Sequence, residues 1–381
     1  MSRVTVIIPN YNGLKFMGPC MSALKAQTYT DFCVLIVDNG STDGSAEWIR
    51  SLTGAGPSLT GDGPENSASS ISSPMSAHGI LRGHIGSMEV NSILLSENTG
   101  FAGAVNVGIS HADSELLLLL NNDTEPEPDF IAELVRAFDE EALERASKGS
   151  ASGRGRLFAA SPKMIQLYHK GLLDDAGDGY NLLGWAFQRG VGQPVDEEKF
   201  SRRTSVFSAC AGASMYRRDL LMEIAYSPEE SFDTAHFAYL EDLDLSFRAR
   251  IRGYDIRYIP EARVYHVGSG TSGSKYNQFK VRLAARNNIW LNWKNMPLLM
   301  LLINLPGILT GILIKLMFFI RIGFGRDYLK GLREGVAGIP KLRKVDFKPE
   351  HLGNYALIEL RLVADTFSYV GDFLRRRLKR K

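Results

Sequence analysis

Cysteine is scarce in this sequence of 381 residues, which contains three, Cys20, Cys33 and Cys210. They are widely spaced and form no C-x-x-C pair, which argues against a disulfide framework and against a zinc site built on cysteine. This usage fits a reducing compartment. The G-x-G-x-x-G pattern of a dinucleotide-binding turn is also missing. Because the glycine pair that comes nearest to it is Gly100-x-x-Gly103, a Rossmann nucleotide site is disfavoured.

A long apolar run is missing at the amino terminus. Val4–Ile8 is followed by Pro9 and is too short for the apolar region of a signal peptide, so the pattern favours a first strand. We therefore expect the body of the protein to stay in the cytoplasm.

The composition excludes a chain that is mainly disordered or fibrous. Hydrophobic residues make up 44% and charged residues 23% of the sequence, close to the averages of globular proteins. The length exceeds that of one ordinary domain and suits one large α/β domain with extensions.

The net charge of +2 conceals a division along the chain. Residues 321–381 contain 15 Lys and Arg against 7 Asp and Glu, whereas residues 1–320 contain 29 against 35. An acidic body is thus joined to a basic tail. This asymmetry indicates an anionic partner for the tail, either a membrane or a nucleic acid.

An apolar stretch lies just before the basic tail. Leu298–Ile314 carries no charge over 17 residues, at the lower limit for crossing about 30 Å of hydrocarbon. Asn304, Pro306, Gly307 and Gly311 interrupt it, which disfavours a straight spanning helix. A broken helix lying in one leaflet fits equally well, and a pair of buried core helices is the alternative.

The end of the chain favours lipid over nucleic acid. Arg375–Lys381 is strongly basic, and clustered Lys and Arg beside an apolar helix are typical of binding to anionic headgroups. No recognisable nucleic-acid module accompanies the run. We predict a peripheral or monotopic protein on the cytoplasmic side of the cell membrane, with an anionic membrane surface and no nucleic acid as partner.

Short apolar runs alternate with helical patterns in the first half, which predicts an α/β fold with a parallel sheet. The predicted strands are Val4–Ile8, Phe32–Val37, Ser92–Leu95 and Glu115–Leu120, and the predicted helices are Leu14–Ala26, Ser45–Ser51, Ala102–His111 and residues 129–145. A stretch rich in Gly, Ser and Pro predicts a flexible insertion at about residues 54–86.

Small, polar and acidic residues follow each of the four predicted strands. Ligands of open α/β sheets collect at the carboxyl ends of strands. Taken singly, these segments are explained by turns and helix caps, but together they predict a nucleotide cleft. In it, Asp38 would accept hydrogen bonds from the base or ribose, and Asp123 would hold a hard cation against a diphosphate. The four segments are Pro9–Gly13, Asp38–Gly44, Glu97–Asn106 and Asn121–Thr124.

Read in order, Val-Ile-Ile-Pro-Asn-Tyr-Asn, Val-Asp-Asn-Gly-Ser-Thr-Asp, Glu-Asn-x-Gly-Phe-Ala-Gly and Leu-Leu-Asn-Asn-Asp resemble glycosyltransferase family 2, most of all its rhamnosyltransferase-like branch. The resemblance covers about residues 3–295. It implies a GT-A fold, a mostly parallel sheet flanked by helices, and inverting transfer by direct displacement from a nucleotide-diphosphate sugar. We expect this domain in residues 1–295 and a helical, membrane-associated extension in residues 296–381.

The resemblance also implies residue roles. Asp123 is the last residue of the family's D-x-D position and would hold Mg2+ or Mn2+. Because Asn121 replaces the first Asp of that motif, one carboxylate carries the metal. This departure keeps a second interpretation open, a non-catalytic nucleotide-sugar-binding scaffold with the same fold. The nucleotide-binding residues implied are Pro9, Tyr11, Asn12, Asp38, Asn98, Gly100 and Asn122.

An acidic helix in the second half is the candidate for the catalytic base. Leu240, Leu243, Phe247 and Ile251 recur on one helical face. At about 100° per residue, Asp242 and the acid two positions later point about 200° apart, so they do not share one site.

The pair Asp244 and Arg248 is expected to form a salt bridge on the helix surface. The resemblance makes Asp242 the general base that takes a proton from the acceptor hydroxyl. Glu241 precedes it and is assigned to the acceptor or the diphosphate.

Three further residues are candidates with structural alternatives. His266 follows a predicted strand, Ile256–Ile259, and either forms a structural hydrogen bond or, as the resemblance implies, completes the metal site. Arg286 is assigned to the diphosphate, with a helix-surface arginine as the alternative. Trp185 is assigned to a sugar ring, with a core position as the alternative.

The sequence therefore predicts a metal-dependent inverting glycosyltransferase. It would move a deoxysugar such as L-rhamnose from a dTDP donor to a lipid-linked or polysaccharide acceptor in cell-envelope glycan synthesis. A nucleotidyltransferase is disfavoured, because the first strand is not followed by a Gly-rich loop with a Lys or Arg.

Overall fold

A computed structural model of the chain describes residues 2–52, 79–149, 153–268 and 276–378. Most of its strands form one large sheet, in which β1, β2, β4, β5, β7 and β13 all run in the same direction and β12 runs against them. The predicted α/β class with a mostly parallel sheet is thus confirmed. The strands are β1 Val4–Asn10, β2 Phe32–Asn39, β3 Leu81–Ile85, β4 Met88–Leu95, β5 Leu116–Leu120, β6 Thr124–Pro126, β7 Leu157–Gln166, β8 Leu173–Asp175, β9 Asp178–Tyr180, β10 Ala186–Gln188, β11 Thr204–Ser205, β12 Ala213–Arg217 and β13 Asp255–His266.

Helices cover both faces of this sheet, which explains the run of five leucines in β5. Leu116, Leu118 and Leu120 pack with the first and fourth helices, and Leu117 and Leu119 pack on the opposite face. All five are fully buried, as expected for a strand covered on both sides. The helices are α1 Leu14–Lys25, α2 Ser45–Leu52, α3 Gly100–Ser110, α4 Phe130–Ser147, α5 Arg218–Glu223, α6 Glu241–Ile251, α7 Gln278–Asn295, α8 Leu298–Arg321, α9 Gly325–Gly338 and α10 Leu352–Leu378.

The predicted strands and helices of the first half are confirmed to within a few residues. Most of the predicted insertion at about residues 54–86, up to residue 78, lies outside the described residues. Its last part is a strand instead, since β3 pairs antiparallel with β4. Leu81 and Ile85 alternate with exposed residues there, a pattern typical of an edge strand.

The apolar stretch near residue 300 forms one continuous helix, so the broken helix that the sequence left open is not observed. Helix α8 runs through Pro306 for 24 residues, the one helix among the described residues that is long and apolar enough to cross a membrane. Gly307 and Gly311 contact the carbonyls of Leu182 and Leu183 too closely for a β-carbon. These glycines therefore permit close packing on the domain rather than breaking the helix.

Candidate functional site

A cavity of about 860 Å³ lies at the edge where the parallel strands end. It has the size of a small-molecule site. Residues from the ends of β1, β5 and β13 line it, together with residues from α6 and from the first turns of α7. The sequence-predicted residues in its lining are Pro9, Tyr11, Asn98, Gly100, Asn122, Asp123, Glu241, Asp242 and His266.

Amides connect the strand ends at one side of this cavity. Asn39 donates its side-chain amide to the Asn98 side chain and to the Gly100 carbonyl, each at 3.0 Å. Gly100 has a φ of 79° and faces the carbonyl of Phe237 too closely for a β-carbon. Only glycine satisfies both conditions without strain, so Gly100 lets the start of α3 pack against the loop before α6. The Asn39 amide connects the end of β2 to the same turn.

Two predicted nucleotide residues do not line the cavity. Asp38 is buried, and its carboxylate accepts hydrogen bonds from the Asn10 side chain at 2.7 Å and from the Ser41 backbone at 3.1 Å. Asn12 accepts a hydrogen bond from the Thr42 backbone at 2.7 Å. Both side chains are used to hold the loops after β1 and β2, because turn-forming Asn and Asp commonly bond to nearby backbone. Asp38 therefore orients Asn10, which does line the cavity.

The predicted metal residues lie together. His266 Nε2 is 3.3 Å from an oxygen of Asp123, and its Nδ1 is 2.7 Å from an oxygen of Asp174. Burial would lower the pKa of His266, but the hydrogen bonds to both carboxylates raise it to about 10. The proton on His266 Nε2, which faces Asp123, thus lies where a divalent ion would bind. A ligating imidazole whose second nitrogen donates to a carboxylate is the usual arrangement at metal sites, so these residues fit a divalent ion.

The candidate base lies opposite, at the start of α6. The Asp242 carboxylate accepts hydrogen bonds from the backbone N–H of Ala211 at 3.2 Å and of Leu243 at 2.8 Å. Burial raises its pKa above the ordinary range. Burial and the neighbouring Asp242 charge raise the pKa of Glu241 to about 8, and one oxygen of Glu241 has no hydrogen-bond partner among the described residues. At neutral pH, Glu241 therefore holds a proton beside Asp242.

The sequence prediction missed two acids in the cavity lining, and one of them lies close to the predicted base Asp242. Asp174 and Asp178 line the cavity from the segment that follows β7. Ligand atoms of Asp178, Cys210 and Asp242 all lie within 4.8 Å of one another. Burial raises the pKa of the Cys210 thiol well above its usual value, which keeps it protonated and a poor ligand. Asp123 and His266 are thus the better metal donors.

Asp244 faces away from the cavity, as the helix geometry predicts. Its pairing with Arg248, at 3.2 Å, is confirmed, but the expected surface position was wrong. Both side chains are buried, and Asp244 also contacts Lys294 at 3.0 Å and Asn295 at 2.8 Å. This network fixes α6 to α7, because both helices contribute to it.

A strained loop leads into α6. Phe237, Tyr239 and Leu240 have φ values of 63°, 70° and 68°, in the left-handed region that side chains other than glycine rarely adopt. The fully buried Asn287 donates its side-chain amide to three backbone carbonyls of this loop, those of His236, Ala238 and Tyr239. Strain of this kind persists where neighbouring groups over-determine it, and it concentrates at functional sites.

The structure does not place Arg286 in the cavity. Its guanidinium lies 4.2 Å over the Trp290 ring and donates to the His236 carbonyl at 2.9 Å. It is used to support the loop before α6. Lys280, on the first turn of the same helix, lines the cavity instead.

Trp185 does not line the cavity either. Its indole N–H donates to the Gly311 carbonyl at 3.2 Å, and its ring meets Tyr369 edge-on at 5.8 Å between ring centroids. Trp185 is half-buried and packs against the carboxyl-terminal helices, so it is not a fully buried core residue either. The neighbouring Ala186 and Phe187 line the cavity.

In a comparison with known protein families, residues 5–60 and 78–225 match the family model "Glycosyl transferase family 2". These residues make up more than half of the chain. The undecaprenyl-phosphate 4-deoxy-4-formamido-L-arabinose transferase of Proteus mirabilis is 22% identical over 252 residues, 65% of this chain and 66% of that protein. An uncharacterized glycosyltransferase of Nostoc sp. is 26% identical over 136 residues, 36% of this chain and 33% of that protein. A mannosyltransferase from Pyrobaculum calidifontis, solved with GDP-Man and Mn2+, has a TM-score of 0.48 and 15% identity, covering 94% of this chain and 78% of that one.

Proposed function

The chain belongs to glycosyl transferase family 2, and on that premise we propose that it is an inverting glycosyltransferase that uses a nucleotide-diphosphate sugar. One observation carries the proposal. A single cavity at the carboxyl edge of the sheet contains a half-buried carboxylate, Asp242, and a separate carboxylate–imidazole pair, Asp123 and His266. A scaffold that only binds the nucleotide sugar would need no such base.

The catalytic role of this chain's residues follows from where they lie. Asp242 accepts the proton of an acceptor hydroxyl as its oxygen attacks the anomeric carbon, which contributes about 10²–10⁴-fold to such reactions. Direct attack from the side opposite the leaving group inverts that carbon. Lys280 contributes positive charge on the side where the diphosphate would lie, in the role first assigned to Arg286.

Asp123 and His266 would hold the divalent ion, which stabilises the charge that develops on the departing diphosphate. A site with one carboxylate and one imidazole favours Mn2+ over Mg2+, because Mg2+ prefers oxygen ligands alone. Asp174 orients the imidazole through its hydrogen bond to Nδ1.

Asp174→Asn is expected to weaken Mn2+ binding about 10–100-fold, because carboxylates that orient a ligating histidine contribute on this scale. A titration of the purified protein with Mn2+, followed by calorimetry, measures the effect. The exposed Asp196→Asn serves as the control. Unchanged Mn2+ affinity in Asp174→Asn would show that His266 is not a ligand.

The proposed donor is a deoxysugar nucleotide such as dTDP-L-rhamnose, and the proposed acceptor is a lipid-linked or polysaccharide glycan of the cell envelope. The lipid-linked acceptor is supported by the Proteus relative, whose name gives undecaprenyl phosphate as its substrate. A panel of nucleotide sugars tested for thermal stabilisation identifies the donor. A ligand at 100 times its dissociation constant adds about 2.7 kcal/mol, enough to detect.

We also propose that α8 and α10 lie in the plane of the membrane on its cytoplasmic side. Helix α10 has polar contacts on its protein side: Asp365 accepts from the Tyr180 backbone at 3.2 Å, and Asn354 donates to the Ile251 carbonyl at 2.8 Å. Its solvent side carries a row of exposed apolar residues at helical spacing, an orientation opposite to that of a soluble protein. The row is Leu357, Leu360, Val363, Phe367, Val370 and Leu374.

Helix α8 supports the same arrangement. Met300, Asn304, Ile308 and Gly311 are buried against the domain, whereas most of the remaining side chains are exposed and apolar. Phe319 stacks on Tyr328 of α9, so α8 contacts the protein along nearly its whole length. A helix attached in this way lies on the bilayer surface more readily than across it. The surplus of basic residues after residue 320 adds attraction to anionic headgroups.

The double variant Leu360→Ser with Phe367→Ser is expected to lose at least half of its binding to vesicles that contain phosphatidylglycerol. Both side chains are more than 60% exposed, so folding does not depend on them. Flotation of the protein with vesicles measures the loss. A matched control changes Leu143 and Tyr168, two exposed apolar side chains of the catalytic domain. Equal flotation of the two double variants, or resistance of the wild type to extraction at alkaline pH, would contradict the in-plane arrangement.

A further inference from the structure

A second, small cavity lies between α7, α8 and α9. Trp185, Val281, Ile312 and Phe319 give it a mainly apolar lining, and its volume is about 50 Å³. A water-sized position needs about 10–15 Å³, so the space holds about three to five small atoms. This suits a group such as a phosphate and excludes a nucleotide or a sugar ring.

One cation lines this cavity. Lys315 continues the inward-facing row of α8, four residues after Gly311, and its ammonium lies 5.6 Å from the centre of the Trp185 ring. Among the described residues, no hydrogen bond or ion pair reaches Lys315 Nζ. Burial lowers the pKa of Lys315 to about 8, and no neighbouring carboxylate offsets the effect.

An ammonium group in apolar surroundings without a counter-ion is costly, and an anion bound beside it offsets that cost. Tyr328 lines the same cavity, and its hydroxyl donates to none of the described residues. Among the residues that line the cavity, Lys315 thus supplies the one positive charge with which an anionic group could pair.

The position of this cavity connects it to the catalytic site and to the membrane side. Ala284 lines both this cavity and the large cavity that contains Asp242. Lys315 lies on α8, whose opposite side is the exposed apolar face. Helix α8 thus lies between the cavity and the exposed apolar face.

We propose that the cavity between α7, α8 and α9 binds the phosphate of a lipid-linked acceptor, with Lys315 as its counter-ion. This assignment rests on the proposed function, in particular on a lipid-linked acceptor. It places the sugar-accepting end of the lipid in the large cavity, next to Asp242.

Calorimetric titration with farnesyl phosphate tests the proposal without any need for turnover. We expect binding to the full-length wild type, and an affinity at least about tenfold lower in Lys315→Gln, because a hydrogen bond to a charged group is lost. Lys315→Arg retains the charge and is expected to stay within about threefold of the wild type. The control Arg321→Gln removes an exposed cation from the same helix and is expected to bind as the wild type does.

Four results would overturn the proposal. The first is an equal affinity of Lys315→Gln and the wild type for farnesyl phosphate. The other three are binding of farnesol, of inorganic phosphate or of dihexanoyl phosphatidylglycerol to the wild type as tightly as farnesyl phosphate. The last result would assign the cavity to bulk lipid headgroups. Failure of the proposed function is distinguishable, since it would leave farnesyl phosphate binding dependent on Lys315 while no sugar is transferred.

Discussion

Asp242→Asn is expected to lower kcat by about three orders of magnitude, while the affinity for the nucleotide donor stays within about threefold. The amide has the same shape as the carboxylate but cannot take a proton from the acceptor hydroxyl. The proposed nucleotide side of the cavity, at Pro9, Tyr11 and Asn98, is built by other elements and is left intact. Steady-state transfer kinetics, combined with calorimetric binding of the donor, measure both quantities.

The pH dependence gives an independent check on the base. Because burial raises the pKa of Asp242, the wild-type rate is expected to fall as the pH is lowered through that value and the carboxylate takes up a proton. The residual activity of Asp242→Asn should lack this acidic limb. Asp219→Asn, at an exposed carboxylate of α5, is the matched control. Near-normal turnover of Asp242→Asn would remove Asp242 from the mechanism.

Lys294→Met is expected to reduce the free energy of unfolding by about 3–5 kcal/mol, the cost of breaking a buried ion pair by removing one partner. Lys294 is fully buried and pairs with both Asp233 and Asp244. Its loss leaves those carboxylates in the interior without their common cation. Urea denaturation at pH 7 measures the change, with an unchanged m-value as the sign that the unfolded state is unaffected.

The matched control is Lys148→Met, which removes the cation of an exposed pair with Glu144 and is expected to change stability by less than about 1 kcal/mol. The buried network also has a pH signature. Although burial opposes its charge, Lys294 and Arg248 hold the pKa of Asp244 well below its usual range. Its contribution is therefore present above the ordinary carboxyl pKa and is lost as the pH falls toward the lowered value. A loss no larger than that of the exposed control would show that the network is not stabilising.

The sequence predicted correctly which parallel strands end at the edge of the sheet where the cavity lies, because the signals for these strands are local. Each of β1, β2, β4 and β5 is a short apolar run followed by a polar segment, and a parallel sheet brings those segments to one edge. Cys210 and Ala211 were missed for a related reason. Strand β12 runs against the others, so the residues before it, not after it, reach the cavity. Strand direction depends on pairing that no local pattern encodes.

Tertiary contacts explain why some of the predicted site residues lie outside the cavity lining. Arg286 and Lys280 lie on the same helix, and no local pattern tells which of them faces the cavity. Asp38 looked like a ligand-binding acid, but Asn10 and Ser41 occupy its carboxylate. The outward apolar row of α10 was also missed, because its polar residues, such as Asp365, are satisfied by the protein rather than by water.

Release of nucleoside diphosphate from a panel of nucleotide sugars, with Mn2+ present and a lipid-linked acceptor supplied, tests the central claim most directly. The wild type is expected to consume one donor and to form a product of inverted anomeric configuration. A chelator should abolish the reaction, and Asp242→Asn should slow it about a thousandfold. A folded wild type that binds a nucleotide sugar yet releases no nucleoside diphosphate under these conditions would contradict the account and favour a scaffold.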